Sequence, residues 1–324
     1  MAPWLGASAA WVLSSPFTAA AGPHLSIHIT RLREGAIPQS SIIGLGAKVS
    51  APMAAFANGA LAHALNYDDW GEGGIHAGAT TVPAALAVAE QVGGVGGQRF
   101  LAALAAGVEL ECRLAAALAR TGSQGRWVLG QLIGYFGAAV SAGAVLELRA
   151  EQMHSALGLA LAQAAGTMQM VLEGDPPAKS IYAAFPNQAG VLSAWLAKKG
   201  LRADCAVFEG QQGLFNAYFG RPGPLTDLEE GLGQRFYLTN VRFKPWPVSG
   251  IVQPFLEAAL EVRGRHSLPL VVSRGCWCGV GSTSGPGASP WRSGAGPRTP
   301  PAPPTASPSP WPRPWSTATS PWPT

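Results

Sequence analysis

The chain has 324 residues, enough for two domains and a sizeable core, and is 48% hydrophobic but only 12% charged. Its formal charge of +4 would suit an anionic partner, yet no Asp or Glu follows Glu261, while six arginines do (Arg263, Arg265, Arg274, Arg292, Arg298 and Arg313). That leaves 16 basic residues against 18 acidic ones in the body, about −2, which excludes a nucleic-acid footprint there.

In chain order, residues 1–21 are apolar but lack the basic start of a signal peptide. Residues 26–35 are mixed, and 38–47 read as an exposed strand or turn. An Ala-rich helix is expected over 52–67. A second helix should begin near Thr81-Val82-Pro83, with Thr as its N-cap and Pro in its first turn. Between them Asp68, Asp69, Trp70, Glu72 and His76 sit on a glycine-rich loop. That is not core composition; it reads either as a solvated turn or as one wall of a small-molecule pocket. Gly93-Gly94-Val95-Gly96-Gly97 follows a helix rather than a strand, so it reads as a hinge and not a nucleotide-binding loop.

Further helices are expected over 98–120, 131–148, 150–173, 187–199 and 253–262, and a strand over 236–243, stopped by Lys244-Pro245-Trp246-Pro247. Residues 131–148 have the apolarity of a membrane span, but their glycines favour a buried helix in a close-packed bundle, so no membrane role is expected. Ala and Gly recur at three- and four-residue spacing in 150–173, which lets helix axes approach closely. The four cysteines lack the paired spacing of a zinc site. Cys112 reads as a buried thiol, and a reducing cytoplasm is the expected compartment.

Several stretches resemble the MmgE/PrpD family, which includes 2-methylcitrate dehydratases and cis-aconitate decarboxylases. They are N-G-A-L-A-H-A-L-N-Y-D-D, H-A-G-A-T-T-V-P-A-A-L-A-V-A-E, A-K-S-I-Y-A-A-F-P-N-Q-A-G-V-L and R-F-K-P-W-P, and the likeness spans roughly residues 38–265. It implies a large all-α domain, usually paired as a homodimer, and a smaller α/β lid. It also implies no metal and no other cofactor.

In the family an Asp, a Thr and a His line the pocket in a D-x-D-D-T…H-P pattern. His76 matches the His, whereas Asn66 stands at the Asp position and Trp70 at the Thr position. A later pocket His falls at or near Val128, the pocket Lys matches Lys179, and a further His falls at Gln253. The resemblance therefore implies His76 and Lys179 as catalytic residues, with Asn66, Asp69, Trp70 and Gln253 against the substrate. His76 and Lys179 are expected on one pocket wall. His63 and His154 are read as structural.

The implied activity is a lyase acting on a small di- or tricarboxylate. Dehydration needs a base and an acid; decarboxylation needs groups that hold carboxylates and a proton source for the carbanion. The alternative is a catalytically silent helical dimer or binding protein. Three divisions are expected: a divergent segment over 1–37, the helical domain over 38–268, and a tail over 269–324. The tail is rich in Pro, Ser, Trp and Arg and has no Lys or acid, which reads as disordered and as a frame-shifted lid that would leave the chain impaired.

Overall fold

The computed structural model describes residues 37–119, 125–173, 181–203 and 206–266. Lys179, Cys205, the N-terminal segment and everything from residue 267 onward lie outside the described residues, and so does the expected tail. Within them the protein is mostly helical, as its periodicity implies.

The described chain opens with a small hairpin. β1 (Ser40–Ile42) and β2 (Ala47–Val49) pair antiparallel, Ser40 opposite Val49. The segment expected to be exposed instead buries Ser40, Ile42, Ala47 and Val49 against the helices. Ser40 can be buried because its hydroxyl donates to the Ala87 carbonyl at 2.6 Å. α1 (Ala51–His63) follows directly, with Pro52 in its first turn where no N–H is missed.

α2 (Ala77–Val92) starts five residues earlier than the Thr81 cap implies, so Pro83 lies inside the helix. A proline there removes one backbone donor and should break the ladder. The buried Asn187 repairs it: its amide donates to Ala79 O at 2.8 Å and its Oδ1 accepts from Ala84 N at 2.9 Å. The helix survives because a side chain from another helix completes its hydrogen bonds.

α3 (Gly97–Ala119) and α4 (Leu129–Val145) pack closely, and α4 is buried along nearly its whole length. Among the described residues no helix is long and apolar enough to cross a membrane. α5 (Ala150–Leu161) ends well before the expected residue 173. The chain breaks near Gly166 (φ +131) and resumes as the short α6 (Gln169–Glu173). α7 (Ala184–Lys198) crosses α4 so tightly that a Cβ on Gly190 would lie 2.5 Å from Ala138 Cβ.

The core is dominated by alanine, with Phe136, Leu114, Leu118, Leu132 and Ile133 among its few large members. A buried methyl removes little area from water, about 0.8 kcal/mol for each CH₂ equivalent. Stability in such a core comes from backbones brought close together by small residues at the crossings.

Short elements complete the described chain: α8 (Leu214–Phe219), α9 (Leu225–Glu229) and α10 (Gln253–His266). The strand expected over 236–243 is mostly a 3₁₀ turn, Tyr237–Asn240, because Glu109 at the core edge accepts from the N–H groups of Tyr237 and Leu238 (3.1 and 2.9 Å). Only β4 (Arg242–Phe243) is extended. It pairs antiparallel with β3 (Asp69–Trp70), Asp69 opposite Phe243 and Trp70 opposite Arg242.

Candidate active site

The two-residue ladder between β3 and β4 brings Lys244 beside the loop after α1. Asn66 takes a left-handed conformation (φ 55), which Asn tolerates better than most residues. It turns its carbonyl and side-chain oxygen toward the ammonium. Lys244 Nζ donates to Asn66 O (3.1 Å), Asn66 Oδ1 (2.9 Å) and Asp68 Oδ1 (2.7 Å). All three of its protons are used. The pair is deeply buried, with Lys244 3% and Asp68 4% exposed.

The other oxygen of Asp68 gathers two histidines. His63 Nδ1 lies 2.6 Å from Asp68 Oδ2 and His76 Nδ1 lies 3.1 Å from it. His76 Nδ1 is also 2.7 Å from the carbonyl oxygen of Asp69. A carbonyl only accepts, so Nδ1 of His76 carries the proton and Nε2 is left as the atom able to give or take one. Tyr182 closes the group, its hydroxyl 3.3 Å from His63 Nδ1 and its ring 4.2 Å from the His63 ring. Of the two readings of this loop, the solvated turn holds only for the exposed Glu72–Gly74; Asp68 and His76 join a buried ion cluster around one carboxylate.

The electrostatics follow from burial. Desolvation pushes the His63 imidazole down to about 4 against the pull of Asp68, so this ring is neutral at pH 7. Burial alone would raise Asp68, but the facing imidazoles of His76 and His63 outweigh it and hold the carboxyl well below the usual range. Asp69 is pushed up to about 6 by burial and by Asp68, with the Gly78 N–H working against the rise. Its two oxygens accept from Gly78 N at 3.1 and 2.9 Å, satisfying an orphan donor at the start of α2. Any Cβ on Gly78 would sit 2.7 Å from Asp69 Oδ1, so only glycine allows that grip.

His63, Asp68 and His76 offer ligand atoms within 4.8 Å of one another, the spacing of a metal site. Their hydrogen bonds argue against that use. Both Nδ1 atoms serve as donors, and the second oxygen of Asp68 is held by an ammonium that a bound cation would face.

Beside His76 opens a cleft of about 260 Å³. Its wall includes the backbone of Gly73 and Gly74, the side chains of His76 and Tyr182, and a continuous apolar surface from Val128, Leu129, Met168, Val171, Phe219 and Ile251. Of the residues expected against a substrate, Asn66, Asp69, Trp70 and Gln253 are not in this described wall. Asn66 holds Lys244, and Asp69 holds α2. Trp70 packs its indole under Gly250, where a Cβ would approach Cε2 to 2.7 Å. Gln253 donates to Trp246 O (2.8 Å) and Val248 O (3.0 Å), tying down the loop after Lys244.

The sequence reading gave no site role to three residues of the cluster: His63, read as structural, Tyr182 and Lys244. Lys244 was visible only as part of R-F-K-P-W-P, where the prolines read as a strand stop. Nothing local in the sequence says that a lysine 176 positions away neutralises Asp68. His63 lies on an Ala-rich helix face, where a histidine is ordinarily structural. Beneath the site, Glu111 of α3 is fully buried, with Oε2 2.7 Å from Thr80 Oγ1.

Comparison with known proteins gives consistent matches. The MmgE/PrpD N-terminal domain model matches residues 12–226. Cis-aconitate decarboxylase of Aspergillus terreus is 30% identical over 237 residues, covering 69% of this chain and 48% of that protein. Cis-aconitate decarboxylase-like protein oryM of Aspergillus oryzae is 30% identical over 218 residues, covering 63% of this chain and 45% of its own length. The chain thus spans about half the length of the curated relatives it matches.

Proposed function

The chain belongs to the MmgE/PrpD family, and from that premise we propose that it is a lyase acting on a small carboxylate with His76 as its acid/base. The observation that carries the reading is the fixed tautomer of His76. Its Nδ1 proton is held by Asp69 O and Asp68, and Nε2 belongs to the ring that lines the cleft.

In a decarboxylation the bond to the leaving CO₂ breaks and its electron pair spreads onto the remaining carboxylate-bearing carbons. Nε2–H of the imidazolium then delivers the proton that closes the new C–H bond. In a dehydration the neutral Nε2 takes the proton beside the carboxylate, the C–H electron pair forms the C=C bond as the C–O bond breaks, and the imidazolium returns its proton to the departing hydroxide, which leaves as water. Either way Asp68 stabilises the imidazolium form from 3.1 Å. The Lys244 ammonium holds the other oxygen of Asp68 in place at 2.7 Å. Asn66 and Asp69 act at one remove, holding Lys244 and the start of α2. Lys179 is read as the cation for a substrate carboxylate. Exposed Phe185 and Leu192, seven residues apart on one side of α7, give a homodimer an apolar face.

The test is turnover of cis-aconitate and related unsaturated carboxylates by the purified chain, followed by NMR of the products. We expect His76→Gln to abolish turnover with little change in melting temperature. An unchanged rate in that variant would assign the chemistry elsewhere. The silent-binder alternative draws on the spent state of Lys244 and Gln253, whose donors are all committed to protein acceptors. It predicts binding without turnover in the same experiment.

A further inference from the structure

We infer that His63 is a positioning residue that acts through Asp68: it donates to the same carboxylate oxygen that His76 uses, and so sets how tightly His76 holds its proton. The inference rests on the reading of His76 as the acid/base and adds the residue that tunes it.

Position alone gives His63 no such role, since it is the buried last residue of the Ala-rich α1. Its contacts do. His63 Nδ1 lies 2.6 Å from Asp68 Oδ2, nearer than His76 Nδ1 at 3.1 Å. A carboxylate only accepts, so His63 Nδ1 carries a proton and gives it to Asp68. The ring centroid of His63 lies 4.7 Å from that of His76 and 4.2 Å from that of Tyr182. The two imidazoles therefore meet one oxygen from adjoining places. A hydrogen bond given to a carboxylate stabilises its charge and weakens what it offers a second donor.

His63 suits the task because it donates without adding charge. Burial holds its imidazole down at about 4, so it stays uncharged through the neutral range. A cation in its place, together with Lys244 2.7 Å from Asp68 Oδ1, would put two positive charges beside His76 and drive off its proton. Among the described residues, the titratable groups facing this pair come from each adjoining segment. They are Asp68 and Asp69 between α1 and α2, Lys244 after β4, and Tyr182 in the 3₁₀ turn Ile181–Ala183. Glu111 of α3 reaches Thr80 rather than either ring. Of these side chains only Asp68 is hydrogen-bonded to both imidazoles.

The experiment is side-chain nitrogen NMR of the full chain, which reads the tautomer and the titration of each imidazole. In the natural chain His63 should be the Nδ1–H tautomer at neutral pH. His63→Phe keeps a ring against His76 and Tyr182 and removes the donor. In it the titration midpoint of His76 should move up by about one pH unit, a tenfold gain in proton affinity. His63→Asn, whose amide nitrogen stands where Nδ1 stood, should bring the midpoint back. Melting temperatures show that folded protein is being read. In turnover, the limb of the pH–rate profile governed by His76 should move up with the midpoint in His63→Phe. A residue that only packs would lower the rate and leave that limb in place.

An unmoved His76 midpoint in folded His63→Phe overturns the inference, and so does a midpoint that His63→Asn fails to restore. If His63→Phe does not fold, the natural chain decides: Nδ1–H on His63 supports the inference and Nε2–H overturns it. Turnover that survives His76→Gln overturns the lyase role of His76 and leaves the NMR result untouched, so the two failures are told apart.

Discussion

Glu111 supplies the most exacting test of the electrostatics beneath the site. It is fully buried, and burial pushes its carboxyl up from 4.5 to about 8, with Asp69 adding to the rise and Thr80 opposing it. The geometry gives the same answer independently. Thr80 Oγ1 lies 2.7 Å from Glu111 Oε2 and 3.2 Å from both His76 O and Ala77 O, yet has a single proton. A protonated Glu111 that donates to Thr80 frees that proton for the backbone. The consequence for stability has a definite sign. The folded value exceeds the unfolded one, so the full contribution is present below pH 4.5 and is lost as pH rises toward 8.

The gap of 3.5 between those two values corresponds to about 5 kcal/mol, and about 3 kcal/mol of it is lost by pH 7. Glu111→Gln keeps the shape, donates to Thr80 through its amide, and has no titration. The stability of the variant relative to the natural chain should therefore rise by about 3 kcal/mol between pH 4.5 and pH 7. Urea denaturation of both proteins at a series of pH values measures the difference, in which titrating groups not coupled to Glu111 cancel. Parallel stability curves would refute the argument.

Three further outcomes follow from the packing. Lys244→Met should destabilise the fold by about 3–5 kcal/mol at pH 7, because it strands the buried Asp68 carboxylate; chemical denaturation reads this directly. Asn187→Ala should cost about 4 kcal/mol, since Ala79 O and Ala84 N lose their partners at the Pro83 break; amide exchange of Ala84 should accelerate together with the loss. Gly190→Ala should cost about 3 kcal/mol by forcing α7 away from the α4 backbone at Ala138 and Ala139, visible as a lowered melting temperature.

Helices were legible wherever periodicity was long and local. α3, α4 and α7 begin and end within about three residues of their expected bounds, which is ordinary for helix ends. The misreadings have one cause: a partner distant in sequence. Pro83 looked like a helix start because Asn187, its repair, sits 103 positions from Ala84. Residues 236–243 looked like a strand because Glu109, which curls them, lies on another helix. His76 was singled out through a family pattern, while for Asp68 the choice between a solvated turn and a pocket wall stayed open until its ion partner was in view. The resemblance matches Trp70 and Gln253 to a Thr and a His of the family pattern. The structure gives both a packing environment that composition does not announce.

The pairing of Asp68 with Lys244 also orders events during synthesis. Asp68 leaves the ribosome 176 residues before the lysine that neutralises it. At the roughly 5–20 residues per second of translation, that is a wait of about 10–35 seconds. For most of it α1 and α2 are both made, yet closing the loop between them would bury the Asp68 carboxylate without its ammonium partner. The carboxylate gains that partner only when the K-P-W-P segment arrives. A late part of the described chain thus carries the counter-charge for one of the earliest.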